Sequence, residues 1–213
     1  MKLRKIGFYD YIVVLTYLGM LLAYCGIFDV LAGRYWAAVL CLMASGVCDM
    51  FDGAVARTKE RSAAEKTFGI QIDSLSDLIS FGVFPALFVY EITDRNRIAG
   101  VIAALYVLAA LIRLAFFNVL ESERQQEHPE QKSYFLGVPV TTICVLLPAV
   151  FILYDYHVFR NTAVFAGFLA AVGVGFLTPI ELKKPEGFGK AALIIIGVLE
   201  AIGVLLFLGW DSV

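Results

Sequence analysis

Histidine and cysteine are scarce in this chain, two and four residues out of 213. The cysteines, Cys25, Cys41, Cys48 and Cys144, all stand in apolar stretches without C-x-x-C spacing, which excludes a disulfide framework and a cysteine zinc site and leaves them as small packing residues. His128 and His157 have no converging ligand or catalytic partner nearby in sequence and read as solvated bystanders. Charge is also in short supply, 17% of residues with a formal net charge of −2, so nothing suggests a nucleic-acid surface. No internal repeat or low-complexity tract is evident, which counts against an inverted-repeat transporter.

What is abundant is apolar. Hydrophobic residues make up 60% of the chain and the mean hydropathy is +0.80, more apolar surface than a soluble domain of this size can hide. Seven runs approach the length needed to cross about 30 Å of hydrocarbon: Tyr11–Leu31, Tyr35–Ala56, Gly69–Tyr90, Ile98–Leu120, Leu136–Tyr154, Val158–Leu177 and Ala191–Trp210. The expected fold is therefore an all-α integral membrane protein, a polytopic bundle of about seven transmembrane helices forming a single domain over residues 1–213. The run after Lys2, Arg4 and Lys5 is too long for a signal-peptide core and is expected as a retained first span.

With the N-terminus inside, twelve Lys and Arg residues fall in cytoplasmic segments and four, Arg34, Arg95, Arg97 and Arg160, fall outside. Arg113 is the remaining cation and lies within the fourth span. An intramembrane arginine must face protein, water or ligand. This topology places the linker Arg57–Phe68 on the cytoplasmic side, and the polar stretches Glu121–Tyr134 and Glu181–Lys190 read as further cytoplasmic loops.

The chemistry gathers around that first linker. Asp49 and Asp52, three residues apart at the end of span two, share a helix face with Gly53 and Ala56 on or near it. In span three Gly69, Asp73 and Asp77 recur at steps of four and stack on one stripe. Each such carboxylate costs on the order of 3 kcal/mol at a helix centre, less near the interface, and mutual repulsion adds to that. Two antiparallel helices presenting paired carboxylates form the hard, oxygen-rich environment that suits Mg²⁺ or Mn²⁺. The alternative is that the aspartates reach water or pair with Arg57, Lys59 and Arg61.

Asp49, Asp52, Gly53, Ala56 and Arg57, followed by Gly69, Asp73 and Asp77, match the D-x2-D-G-x2-A-R and G-x3-D-x3-D halves of one signature. On these residues the chain resembles the CDP-alcohol phosphotransferase family, in which a metal-dependent enzyme moves a substituted phosphate from a CDP-linked lipid to an alcohol. Eleven residues lie between Arg57 and Gly69, a longer linker than the family pattern usually has. Asp73-Ser74-Leu75-Ser76-Asp77 running into Ser80-Phe81-Gly82-Val83-Phe84-Pro85 resembles the serine-accepting branch, as do Arg113–Asn118 and Phe135–Pro139. Leu78 stands where the glycerophosphate-transferring branch usually has lysine. The Pro-Asn-x-x-Thr-like element of many relatives is missing from span one, with Thr16 its nearest remnant, so little nucleotide contact is expected there.

The resemblance implies a six-helix core, here with one span more, a homodimer, and CDP-diacylglycerol and L-serine as substrates. It implies Asp49, Asp52 and Asp73 as ligands of a divalent metal, Mg²⁺ or Mn²⁺, with Asp77 completing a second metal position or acting as general base towards serine. Gly53, Ala56 and Gly69 would let CDP approach the backbone, and Arg57 would pair with its phosphates. Arg113 is the candidate partner of the serine carboxylate, the alternative being an ion pair with a motif aspartate; Asn118, Gly137 and Pro139 are weaker candidates for shaping that pocket. Glycerol 3-phosphate and inositol phosphate are the competing acceptors, and a metal- or proton-coupled transporter is the reading from another class.

Overall fold

The computed structural model describes residues 7–56, 58, 61–127, 135–136, 138–179 and 181–182. Helix α1, Tyr11–Leu31, and helix α2, Tyr35–Val55, form a hairpin closed by Gly33, whose φ of +75° is the left-handed conformation that suits glycine. Backbone bonds from Gly33 N to Val30 O and from Arg34 N to Asp29 O finish α1, and the Arg34 guanidinium donates to the Asp29 carboxylate. Asp29, the lone charge of the first span, is thereby neutralised at the hairpin end. Gly26 lets the neighbours in: a Cβ there would sit 2.8 Å from Cys41 Cβ on α2.

The third crossing begins earlier than its apolar run suggests. Ser62 and Glu65 form a capping box that starts α3, Ala63–Asp77, six residues before Gly69. A π turn, Leu78–Val83, joins it without a break to α4, Phe84–Ile92, so the crossing runs over Ala63–Ile92. A tight turn with Asp94 and Arg95 at positive φ leads to α5, Arg97–Glu127, which is capped by Asn96 Oδ1 accepting from Ile98 N. The expected break at Leu120 is not there. The polar residues 121–127, read as loop, continue α5 for about two turns, because Glu, Arg and Gln are good helix formers wherever no glycine or proline intervenes.

The later spans differ more. Residues Phe135–Leu136 form a short strand β1 paired antiparallel with β2, Glu181–Leu182, and the helix of the fifth span starts only at Ile143. Helices α6, Ile143–Asp155, and α7, Ala163–Leu177, have 13 and 15 residues, about 20 Å each and short of a full crossing. Pro139 opens a 3-10 turn over Val140–Thr142 and the Tyr156–Thr162 connection takes residues from the expected sixth span, which accounts for the shortening. Among the described residues four helices are long and apolar enough to cross a membrane, and the chain is a polytopic helical membrane protein. The expected seventh span, Ala191–Trp210, lies outside the described residues, as do Arg57, Gly137 and His128.

An aromatic core joins α4, α5, α6 and α7. Phe88 meets Phe151 edge-on at 5.5 Å and Phe165 at 6.4 Å, with Phe81, Phe84 and Tyr106 buried around them. On α5 the inner face carries Ala99, Ala103, Ala109 and Ala110, small enough for α7 to come close, while Val101, Leu105, Leu108, Ile112 and Phe116 point outward to where lipid would be. Of the four cysteines, Cys48 is buried, Cys41 and Cys144 half-buried, and Cys25 exposed; the last corrects the expectation that all four are packing residues.

Candidate active site

Asp49 and Asp52 sit in the last two turns of α2, and Asp73 and Asp77 in the last two turns of α3. The ends of α2 and α3 bring the two stripes together. One carboxylate oxygen from each of Asp49, Asp52 and Asp73 lies within 4.8 Å of the others. The side chains also touch across the pair of helices, Asp52 with Asp73 and Asp77 with Asp49. Carboxylates in contact repel one another unless a proton or a cation stands between them. Oxygens bound to a small divalent ion at about 2.1 Å lie about 3 to 4 Å apart, so modest closure of the three-oxygen group would fit one. The donor set is all oxygen, which suits Mg²⁺ or Mn²⁺ over softer metals. Asp77 stands outside the three-oxygen group, behind Asp49.

Helix α1 supplies a support that the sequence reading set aside. Thr16 Oγ1 donates to Asp52 Oδ2 at 3.0 Å, and Ser76 Oγ donates to the Thr16 carbonyl at 3.4 Å. A single threonine thereby links α1 to both acidic helices. Below the carboxylates, Thr16, Ser45, Ser76 and Ser80 surround a hollow of about 10 Å³ with Asp49, Asp52 and Asp77, room for about one water; Ser80 Oγ is buried there without a hydrogen-bond partner among the described residues.

On the other side the site opens into a cleft of about 130 Å³ lined by Val13, Thr16, Asp52, Gly53, Ala56, Arg61, Gly69, Ile70 and Asp73. The two glycines behave differently. A Cβ on Gly53 would meet nothing within 4 Å, whereas one on Gly69 would lie 3.0 Å from Arg61 Nη1. Gly69 thus leaves room for a cation at the cleft wall, and Gly53 leaves room for a ligand. Arg61, read from the sequence only as a linker charge, is the described cation of this cleft. Arg57 cannot be placed beside it, since it lies outside the described residues.

Arg113 enters from α5. It is 7% exposed, its guanidinium lies over the Phe117 ring at 4.5 Å, and its Nε has no hydrogen-bond partner among the described residues. Asp77 is the carboxylate that feels its charge. Asn118, one turn on, accepts from Ser74 Oγ at 2.8 Å and so ties α5 to the residue next to Asp73. Pro139 begins the 3-10 turn leading into α6 and is not among the residues that line the cleft.

Fold and site together define a helical membrane protein with a hard-metal carboxylate centre opening on a cleft that carries a cation. The chain matches the CDP-alcohol phosphatidyltransferase family over residues 13–178, from α1 to the end of α7, and it belongs to that family. It is 32% identical to a CDP-diacylglycerol--serine O-phosphatidyltransferase of Helicobacter pylori, over 81% of this chain and 73% of that protein. It is also 32% identical to an archaetidylserine synthase of Methanothermobacter thermautotrophicus, over 82% of this chain and 71% of the relative. A protein of Methanocaldococcus jannaschii with the same name as the Helicobacter relative is 26% identical over 96% of this chain and 87% of its own length.

Proposed function

We propose that this chain transfers the phosphatidyl group of CDP-diacylglycerol to the hydroxyl of L-serine and releases CMP. The observation that carries the reading is the convergence of Asp49, Asp52 and Asp73 beside an open cleft, in a chain whose relatives include serine-named transferases. Asp49, Asp52 and Asp73 would hold a divalent metal, Mg²⁺ or Mn²⁺. Bound there, the ion would neutralise the diphosphate of the CDP-lipid and stabilise the departing phosphate.

The chain's own groups do the rest. The cleft wall at Gly53, Ala56 and Gly69 admits the CDP moiety against backbone, and Arg61 offers guanidinium donors to its phosphates, a role the signature motif would extend to Arg57. Serine enters on the α5 side, its carboxylate on Arg113, whose Nε is an unpaired donor among the described residues. The Phe117 ring holds that guanidinium, and the Asn118–Ser74 bond fixes α5 against the acidic helix. A serine hydroxyl is a poor nucleophile at neutral pH, so its proton must leave as it attacks; Asp77 is the carboxylate placed between Asp49 and the influence of Arg113. The new bond joins serine Oγ to the phosphatidyl phosphorus, the bond from that phosphorus to the CMP oxygen breaks, and Asp77 takes the proton; were Asp77 instead to complete a second metal position, the proton would leave with the CMP phosphate.

The proposal extends to a single domain over residues 1–213, to the cytoplasmic membrane with the site on its inner side, following the basic linker, and to the homodimer that the family resemblance implies. The test is CMP release by purified protein supplied with CDP-diacylglycerol and Mg²⁺ or Mn²⁺, with serine, glycerol 3-phosphate or inositol phosphate as acceptor. Serine-dependent release, abolished by chelator and by Asp73→Asn, is expected. Release only with another acceptor would overturn the choice of serine, and no release with any acceptor would overturn the proposal.

A further inference from the structure

The π turn Leu78–Val83 follows Asp77 directly, and at its end the Phe84 N–H pairs with Ile79 O, five residues back instead of four. Such turns inside α-helices often stand at functional sites. Its effect here is rotational. On an uninterrupted α-helix Asp73 and Asp77 would lie in line with Phe81, Phe84 and Phe88. Phe84 and Phe88 are 0% and 1% exposed in the aromatic core, and one face cannot serve that core and the carboxylate centre together. One extra residue in the turn rotates α4 against α3 by about 100°, the angle per residue of an α-helix. The aromatic stripe then faces the core while the acidic stripe faces α2.

Two residues account for the turn. Pro85 has no N–H, and its ring crowds the carbonyl four residues before it, that of Phe81. This carbonyl accepts instead from the Tyr106 hydroxyl of α5, at 2.7 Å. Tyr106 is 1% exposed, with its ring 5.3 Å from that of Phe176 and against Gly173, so its position does not depend on the hydroxyl. Nothing in the catalytic reading uses Tyr106, yet its one polar atom ends on the turn that aims Asp77.

We propose that Tyr106 is a positioning residue: its hydroxyl replaces the donor that Pro85 withholds, holds the π register, and thereby keeps Asp77 turned towards Asp49 and the carboxylate centre. The inference rests on the proposed function only in giving that centre a metal and a reaction.

The experiment compares the wild type, Tyr106→Phe and the double variant Tyr106→Phe/Pro85→Ala in detergent, reading amide hydrogen exchange over residues 78–84 and Mn²⁺ binding by the electron paramagnetic signal of the free ion. Tyr106→Phe is expected to speed exchange and weaken Mn²⁺ binding, each roughly five- to tenfold, the worth of one buried hydrogen bond. In the double variant the introduced alanine brings a backbone N–H that can pair with Phe81 O in the α register, so exchange protection returns while Mn²⁺ binding stays weak. Wild-type exchange and Mn²⁺ binding in Tyr106→Phe would overturn the proposal. So would Mn²⁺ binding that recovers in step with protection in the double variant, since that is what a merely stabilising bond would do. Should Tyr106→Phe not fold, Pro85→Ala alone sets the new backbone N–H in competition with the Tyr106 hydroxyl and is expected to weaken Mn²⁺ binding; unchanged binding would overturn the proposal. CMP release by the wild type, measured alongside, separates the two readings: its absence with serine removes the acceptor assignment and leaves the exchange and Mn²⁺ results standing.

Discussion

Replacing Thr16 by valine removes one hydroxyl and little else. Valine has nearly the volume of threonine, Thr16 is 8% exposed, and its carbonyl still accepts from Ser76. What is lost is the 3.0 Å bond to Asp52 Oδ2. A hydrogen bond to a charged group contributes about 1.5 to 3 kcal/mol, and the partly buried setting of this one argues for the lower end. About 1.5 kcal/mol is about tenfold in an equilibrium constant, the same order as the loss on mutating outer partners of metal-binding carboxylates. The expected result is a roughly tenfold higher Mn²⁺ concentration for half-saturation in Thr16→Val, with thermal stability nearly unchanged and Thr16→Ser close to wild type. Direct Mn²⁺ titration and the metal dependence of CMP release both read it. Wild-type metal binding in Thr16→Val would refute the argument, as would equal damage in Thr16→Ser, where the donor is kept.

Other substitutions separate packing from chemistry. Gly53→Ala introduces a Cβ that meets nothing within 4 Å, so thermal stability is expected to hold while the KM for CDP-lipid rises severalfold; an unchanged KM would mean that the ligand does not approach this backbone. Gly26→Val places a Cβ on the aromatic ring of Phe84 and close to Cys41, an overpacking expected to cost about 1 to 3 kcal/mol, read as a lower midpoint in thermal unfolding in detergent. Arg113→Lys keeps the charge and loses the planar fork over Phe117; the KM for serine is expected to rise about tenfold or more with the KM for CDP-lipid little changed, and an equal rise in both would assign Arg113 to structure. Arg61→Gln is expected to give the opposite split, weakening CDP-lipid and sparing serine.

Much of this protein follows from local sequence. A helix fixes which residues share a face, so the spacing of Asp49 with Asp52, and of Gly69 with Asp73 and Asp77, is enough to place them on stripes, and apolar length alone set α1 at Tyr11–Leu31. The buried Arg113 was likewise visible as a charge where lipid forbids one. Periodicity says nothing about which helix lies beside which, so the Thr16 bond to Asp52, thirty-six residues apart, had no local signal, and Arg61 looked like any linker cation until its guanidinium was found against Gly69 at the cleft wall. Hydropathy also misjudged ends: the Ser62–Glu65 capping box starts α3 early, α5 outruns its apolar segment, and α6 and α7 fall short of theirs. Pro85 could be read as a disturbance of its helix, but a proline specifies only a missing donor. That the disturbance became a π turn, with the orphaned carbonyl met by a tyrosine on another helix, was decided by tertiary packing, because only there do the aromatic core and the carboxylate centre compete for the same face.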